Sequence, residues 1–253
     1  MAGAPTLEVL PDAAAVARRA AELFLRDGRD AVGARGSFAV TLSGGSTPRA
    51  LYLLLADEPY VSSVPWSRVR VFWGDERCVA PGDAASNYRL AQETFLNTVP
   101  LPPTRVHRLR GEAADPEQAA REYEALLRAQ AREAGTVPGG VPRMDLILLG
   151  MGADGHTASL FPYRQTLRET RRLVVVDDIP GVGRRLTVTL PLLKSARHIV
   201  FAAVGQEKAA AVAEVLQGPW DPRRLPAQGV VPRFGRLTWL IDRAAAECLQ
   251  PRV

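Results

Sequence analysis

Short apolar runs alternate with helical patterns along the chain, and that alternation leaves few folds open. Residues 37–42 (SFAVTL), 68–73 (RVRVFW), 144–149 (MDLILL), 172–176, 186–190 and 198–204 read as strands, as does a short run ending at Trp239. Ahead of them, Val16, Ala20, Leu23 and Phe24 recur at helical spacing behind Asp12, predicting a capped helix that ends near Gly28. Further helices are expected over residues 87–96 and 115–133, from Gln206, and from Pro48, which reads as a first helical position; residues 74–86 read as a loop. Strands that are apolar throughout and separated by helices argue for a mostly parallel sheet flanked by helices on both faces, the α/β, Rossmann-like class.

At 253 residues, with 47% hydrophobic and 23% charged, the chain can bury a sizeable core and is read as one domain over residues 1–253. The same composition excludes a disordered or collagen-like protein. No apolar run reaches about 18 residues, and the first residues lack the basic-then-apolar order of a signal peptide, so a soluble, cytoplasmic protein with no membrane partner is expected. Cys78 and Cys248 stand apart without metal-ligand spacing, so free thiols and no metal site are expected. The net charge of +5 is diffuse: Lys194 and Lys208 are the only lysines, and arginine supplies every other cation. With no basic stripe carrying interleaved aromatics, nucleic acid is not an expected partner, whereas a small anion is. A monomer is expected.

Ligands of open α/β sheets sit beyond the carboxyl ends of strands, which singles out four segments. Ser43-Gly44-Gly45-Ser46-Thr47-Pro48 places two glycines and three hydroxyls at a helix start, where free N–H groups favour an anion; a tight turn with a cap is the plainer reading. It has neither the Walker spacing nor the G-x-S-x-G elbow. Gly74-Asp75-Glu76-Arg77 puts two carboxylates and a guanidinium at a strand end, although a solvated charged turn would look the same. Gly205 to Lys208 supplies a rare lysine after a strand, and Arg184 and Arg185 precede the LTVTL strand. Either arginine would suit a phosphate, or be mere surface.

Gly150-Met151-Gly152-Ala153-Asp154-Gly155-His156 carries the most chemistry. It satisfies G-x-G-x-x-G after a strand, with Asp177 and Asp178 about 20 residues on, the spacing of a dinucleotide site. Against that, Pro162 would interrupt the required helix within about two turns, and the loop bears side chains where a dinucleotide needs bare backbone. The alternative is that Asp154 orients the His156 imidazole in a cleft for proton transfer. His107 and His198, embedded in apolar runs, read as structural.

The blocks LSGGSTPRALY, WGDERCVAPGDAASNYRLAQETFL, DLILLGMGADGHTASLFP, RLTVTLPLLKSARHIVF and VGQEKAAAV together resemble the 6-phosphogluconolactonase family across nearly the whole chain. The resemblance implies the shared fold of glucosamine-6-phosphate isomerases and 6-phosphogluconolactonases. It also implies hydrolysis of 6-phospho-D-glucono-1,5-lactone in the oxidative pentose phosphate pathway, without cofactor or metal. By that resemblance His156 would be the general base, with Asp154 beside it. Asp75 and Arg77 would line the lactone end, and Ser43, Gly44, Gly45, Ser46, Thr47, Arg185 and Lys208 would hold the phosphate. Arg77 would stabilise the oxyanion or, equally, bind phosphate. Glucosamine-6-phosphate deaminases resemble the chain too, but carry a glutamate shortly after the histidine. Here Thr157-Ala158-Ser159-Leu160-Phe161-Pro162 follows instead, which favours hydrolysis. A non-catalytic sugar-phosphate sensor and a nicotinamide oxidoreductase are the other readings.

Overall fold

In the computed structural model, which describes residues 4–134, 136–137 and 140–251, the apolar runs assemble into one seven-stranded parallel sheet. Its strands are β1 (Thr6–Leu10), β2 (Phe38–Leu42), β3 (Val69–Trp73), β5 (Val106–His107), β8 (Leu146–Leu149), β11 (His198–Ala203) and β12 (Arg236–Asp242). Their order is β1-β12-β11-β8-β2-β3-β5. Every residue of β2 and β8 is buried. Because side chains alternate between the two sides of a strand, that burial requires cover on both faces. From β2 the chain builds outward to β3 and β5, then returns to lay β8 on the other flank of β2 and builds outward through β11 and β12. The strand order therefore reverses between β2 and β8, the place where open α/β sheets leave a crevice.

The helices are α1 (Ala13–Arg35), α2 (Ser46–Leu55), α3 (Tyr60–Ser63), α4 (Asn87–Ala91), α5 (Pro116–Ala134), α6 (Leu190–Leu193) and α7 (Ala209–Gln217). α1 runs a full two turns beyond the expected stop at Gly28. That glycine is buried inside the helix with the Phe38 ring 3.3 Å from where a Cβ would lie, so it serves packing; Gly36, at φ +74°, ends the helix by donating to the Val32 carbonyl. α2 starts at Ser46, which makes Pro48 its third residue and not its first. α4 passes into a π-helical turn at Gln92–Leu96, and a 3₁₀ turn at Gln206–Lys208 leads into α7. β1 was not apparent in the sequence; it is a partly exposed edge strand paired with β12, which continues past Trp239 to Asp242.

Two expected strands lie outside the main sheet. β9 (Val174–Ile179) and β10 (Gly183–Val188) form an antiparallel hairpin, closed by Val182 N–H donating to the Ile179 carbonyl over Gly181 and Gly183, both at positive φ. So tight a link joins only antiparallel strands. The segment expected as a loop contains β4 (Asp75–Arg77), which pairs with β10 to complete a three-stranded sheet at the rim of the crevice. A two-stranded pair, β6 (Thr136–Val137) with β7 (Val141–Pro142), lies away from it. His198 is buried against Asp27 and within 2.9 Å of the Thr238 hydroxyl, and His107 stacks on Phe72, so both histidines take structural positions. No helix among the described residues is long and apolar enough to cross a membrane.

Candidate active site

The turn after β2 is pinned from below. Tyr52 Oη accepts from the Ser43 N–H at 3.1 Å and donates to the Ser43 carbonyl at 2.7 Å; complete burial pushes this phenol far above its ordinary pKa. Gly45 caps α2 at φ +110° and offers no side chain to its first turn. The N–H groups of that turn are left for solvent or a ligand, with the positive end of the helix dipole behind them. The Ser43 hydroxyl is buried without a hydrogen-bond partner, and the residue lines the crevice.

The turn after β8 opens no helix, which removes the dinucleotide reading of its glycines. It folds back on itself: Gly152 N–H donates to the His156 carbonyl, Gly155 N–H to the Gly152 carbonyl, and Thr157 Oγ to the Gly150 carbonyl. Gly155 sits at φ +78°, and Ala158, a non-glycine, at φ +48°. Asp154 Oδ1 accepts from the His156 N–H at 3.1 Å and lies 2.6 Å from its Nδ1. Partial burial works against this carboxylate, but the His156 backbone and ring outweigh it and hold the pKa below the usual range. With Nδ1–H given to Asp154, Nε2 carries the ring's free lone pair. Phe161 stacks on the imidazole at 4.2 Å between centroids and fixes its plane.

The rim sheet supplies the third wall. Asp75 is 8% exposed and both its carboxylate oxygens are held, one by Ser159 Oγ at 2.7 Å and the other by Asn87 Nδ2 at 3.2 Å. Glu76, its neighbour, turns the other way. It accepts from Ser86 Oγ and from the N–H groups of Arg77, Asn87 and Tyr88, capping the start of α4, and burial raises its pKa. Arg77 and Arg185 are directly opposite one another across the β4–β10 ladder and so project to one face. Their guanidinium groups donate to the carbonyls of Ala85, Arg184 and Val182, and neither forms an ion pair with a carboxylate among the described residues. Burial, then the facing Arg77 charge, draws the Arg185 pKa below its ordinary value.

These walls enclose a cleft of about 400 Å³ lined by Ser43, Gly44, Gly45, Ser46, Thr47, Asp75, Arg77, His156, Arg185 and Lys208. Of the residues expected at the site, Asp154 alone does not line it and reaches it through His156. Asn87, Thr157, Ser159 and Phe161 are among the further lining residues. All four lie inside the motif blocks that were singled out, but the contacts that matter cross between blocks. Among the described residues no three His, Cys, Asp or Glu side chains gather as a metal site, and both cysteines are free.

The family model described as glucosamine-6-phosphate isomerases/6-phosphogluconolactonase matches residues 11–239. A 6-phosphogluconolactonase of Synechocystis is 40% identical to this chain over 98% of it and all of the relative. One from Streptomyces coelicolor is 39% identical over 98% of this chain and 96% of the relative. Among solved structures, that of the devB protein superposes with a TM-score of 0.87 at 34% identity, covering 98% of this chain and 99% of that one. The Trypanosoma brucei 6-phosphogluconolactonase gives 0.83 at 28%, covering 97% and 99%.

Proposed function

The chain belongs to the glucosamine-6-phosphate isomerase/6-phosphogluconolactonase family, and on that premise we propose that it hydrolyses 6-phospho-D-glucono-1,5-lactone to 6-phosphogluconate in the oxidative pentose phosphate pathway, as a cytoplasmic monomer. One observation carries this reading: a carboxylate-oriented imidazole and two arginines without counter-ions face the same small cleft. Like charges placed opposite each other on a ladder are unfavourable unless an anion neutralises them. An anionic substrate does so, its phosphate held by Arg185, Lys208 and the open first turn of α2.

In the proposed reaction His156 Nε2 takes a proton from water as the water oxygen bonds to the lactone carbonyl carbon. Asp154 stabilises the imidazolium that results. Arg77, at the Asp75 end of the cleft, offsets the charge that collects on the carbonyl oxygen. When the intermediate collapses, the bond from that carbon to the ring oxygen breaks and the imidazolium returns its proton to the leaving oxygen. A δ-lactone is an activated ester, so water suffices and no covalent nucleophile is needed.

The test follows the decay of freshly made 6-phosphogluconolactone above its spontaneous rate, beside unphosphorylated gluconolactone. Fast decay of the phosphorylated lactone, slow decay of the other, and a loss of ~10²–10⁴-fold in His156→Ala are expected. Equal rates on both lactones would remove the phosphate assignment, and full activity in His156→Ala would remove the base.

A further inference from the structure

Asn87 is 2% exposed and lines the cleft. Its Nδ2 donates to the Asp75 carbonyl at 2.9 Å and to the Asp75 carboxylate at 3.2 Å. Both partners are pure acceptors, so the amide cannot be turned the other way, and its orientation is settled by the network. That leaves Oδ1 on the opposite side, buried and without a donor. A buried acceptor with no partner is costly, and one kept at a cleft calls for an explanation. Oδ1 abuts the glycine turn so closely that a Cβ on Gly44 would stand 1.8 Å from it. It is therefore placed between the β2 turn, proposed above for the phosphate, and Asp75 at the lactone end. What a sugar-phosphate lactone presents between those two ends is its ring hydroxyls, each of which has a proton to donate.

We propose that Asn87 determines specificity: its amide nitrogen holds Asp75, and its amide oxygen accepts a hydrogen bond from one ring hydroxyl of the bound lactone. This rests on the lactonase reading and deepens it. Ser159 provides the contrast, since its hydroxyl holds the other oxygen of Asp75 and its N–H is taken by the Thr187 hydroxyl. Removing Ser159 Oγ loosens Asp75 without removing a reader of the ring.

The experiment measures kcat and KM of the wild type, Asn87→Ala, Asn87→Ser and Ser159→Ala on 6-phosphogluconolactone and on its 2-, 3- and 4-deoxy analogues. Thermal melts check that each variant is folded. The wild type is expected to lose about tenfold or more in kcat/KM on one of the three analogues. Asn87→Ala and Asn87→Ser are expected to be slower on the parent and to treat that analogue and the parent alike. Ser159→Ala is expected to be slower with the discrimination intact. Were Asn87→Ala slowed by the same factor on the parent and on every analogue, Asn87 would be a clamp on Asp75 and nothing more, and the proposal would fall. A wild type that favours no analogue over another would overturn it as well. A wild type that leaves the parent lactone at its spontaneous rate is a different result, and it removes the lactonase reading itself.

Discussion

At Gly152 a single methyl group would collide with the machinery, standing 2.1 Å from His156 Nδ1 and 2.5 Å from Asp154 Oδ1. Gly152→Ala is therefore expected to fold, because its N–H still bonds the His156 carbonyl, yet to displace the imidazole by the better part of an ångström. A loss of about 10²-fold in kcat follows from such misplacement; near-normal turnover would show that the ring does not need its present position. His156 was legible in the sequence because a glycine-bracketed Asp-Gly-His turn has a local signature. Asn87 and Ser159 were not. Ser159 meets Asp75 from 84 residues away, and no periodicity or spacing along the chain announces a contact of that range. The orphaned Ser43 hydroxyl and Asn87 oxygen were equally hidden, since an unmet hydrogen bond exists only once the surrounding groups have been placed.

At the scale of elements, the strands that are apolar throughout were read correctly, and the failures share a cause. Gly28 reads as a helix end in the sequence because glycine usually marks one. Here it lies between Asp27 and the rest of a helix whose buried face continues to Ala31, and contact with Phe38 overrides its poor propensity. The β9–β10 hairpin reads as two members of the parallel sheet because apolar content does not encode direction. Asp27 itself joins α1 to β11 and β12 through His198 and Arg236. Burial disfavours its carboxylate, but those partners prevail and the folded pKa is depressed. The stabilisation is thus fully present above the unfolded carboxylate pKa of about 4 and is lost as pH falls through the lower, folded value. Asp27→Asn is expected to cost about 1–3 kcal/mol at neutral pH, because it removes the carboxylate that His198 and Arg236 share. It should also flatten the fall in stability as pH drops below the unfolded carboxylate pKa of about 4. Denaturant melts across that range check both, and parallel curves for mutant and wild type would refute the assignment.

For the whole molecule, the feature with the widest reach is the reversal of strand order between β2 and β8. It sets the turn after β2 and the histidine turn side by side, although more than a hundred residues separate them, and the chain between them builds the far flank of the sheet. Neither half owns the cleft. A refolding chain can therefore regain most of its helices before β8 finds its place next to β2, because local contacts close sooner than distant ones. On dilution from denaturant, helical circular dichroism is expected to recover ahead of lactone hydrolysis; recovery of both in one shared phase would show that the two halves dock as they form. If the lag is there, turnover works as a clock on the final docking event, and the enzyme carries within its own chemistry a report of when its two halves have met.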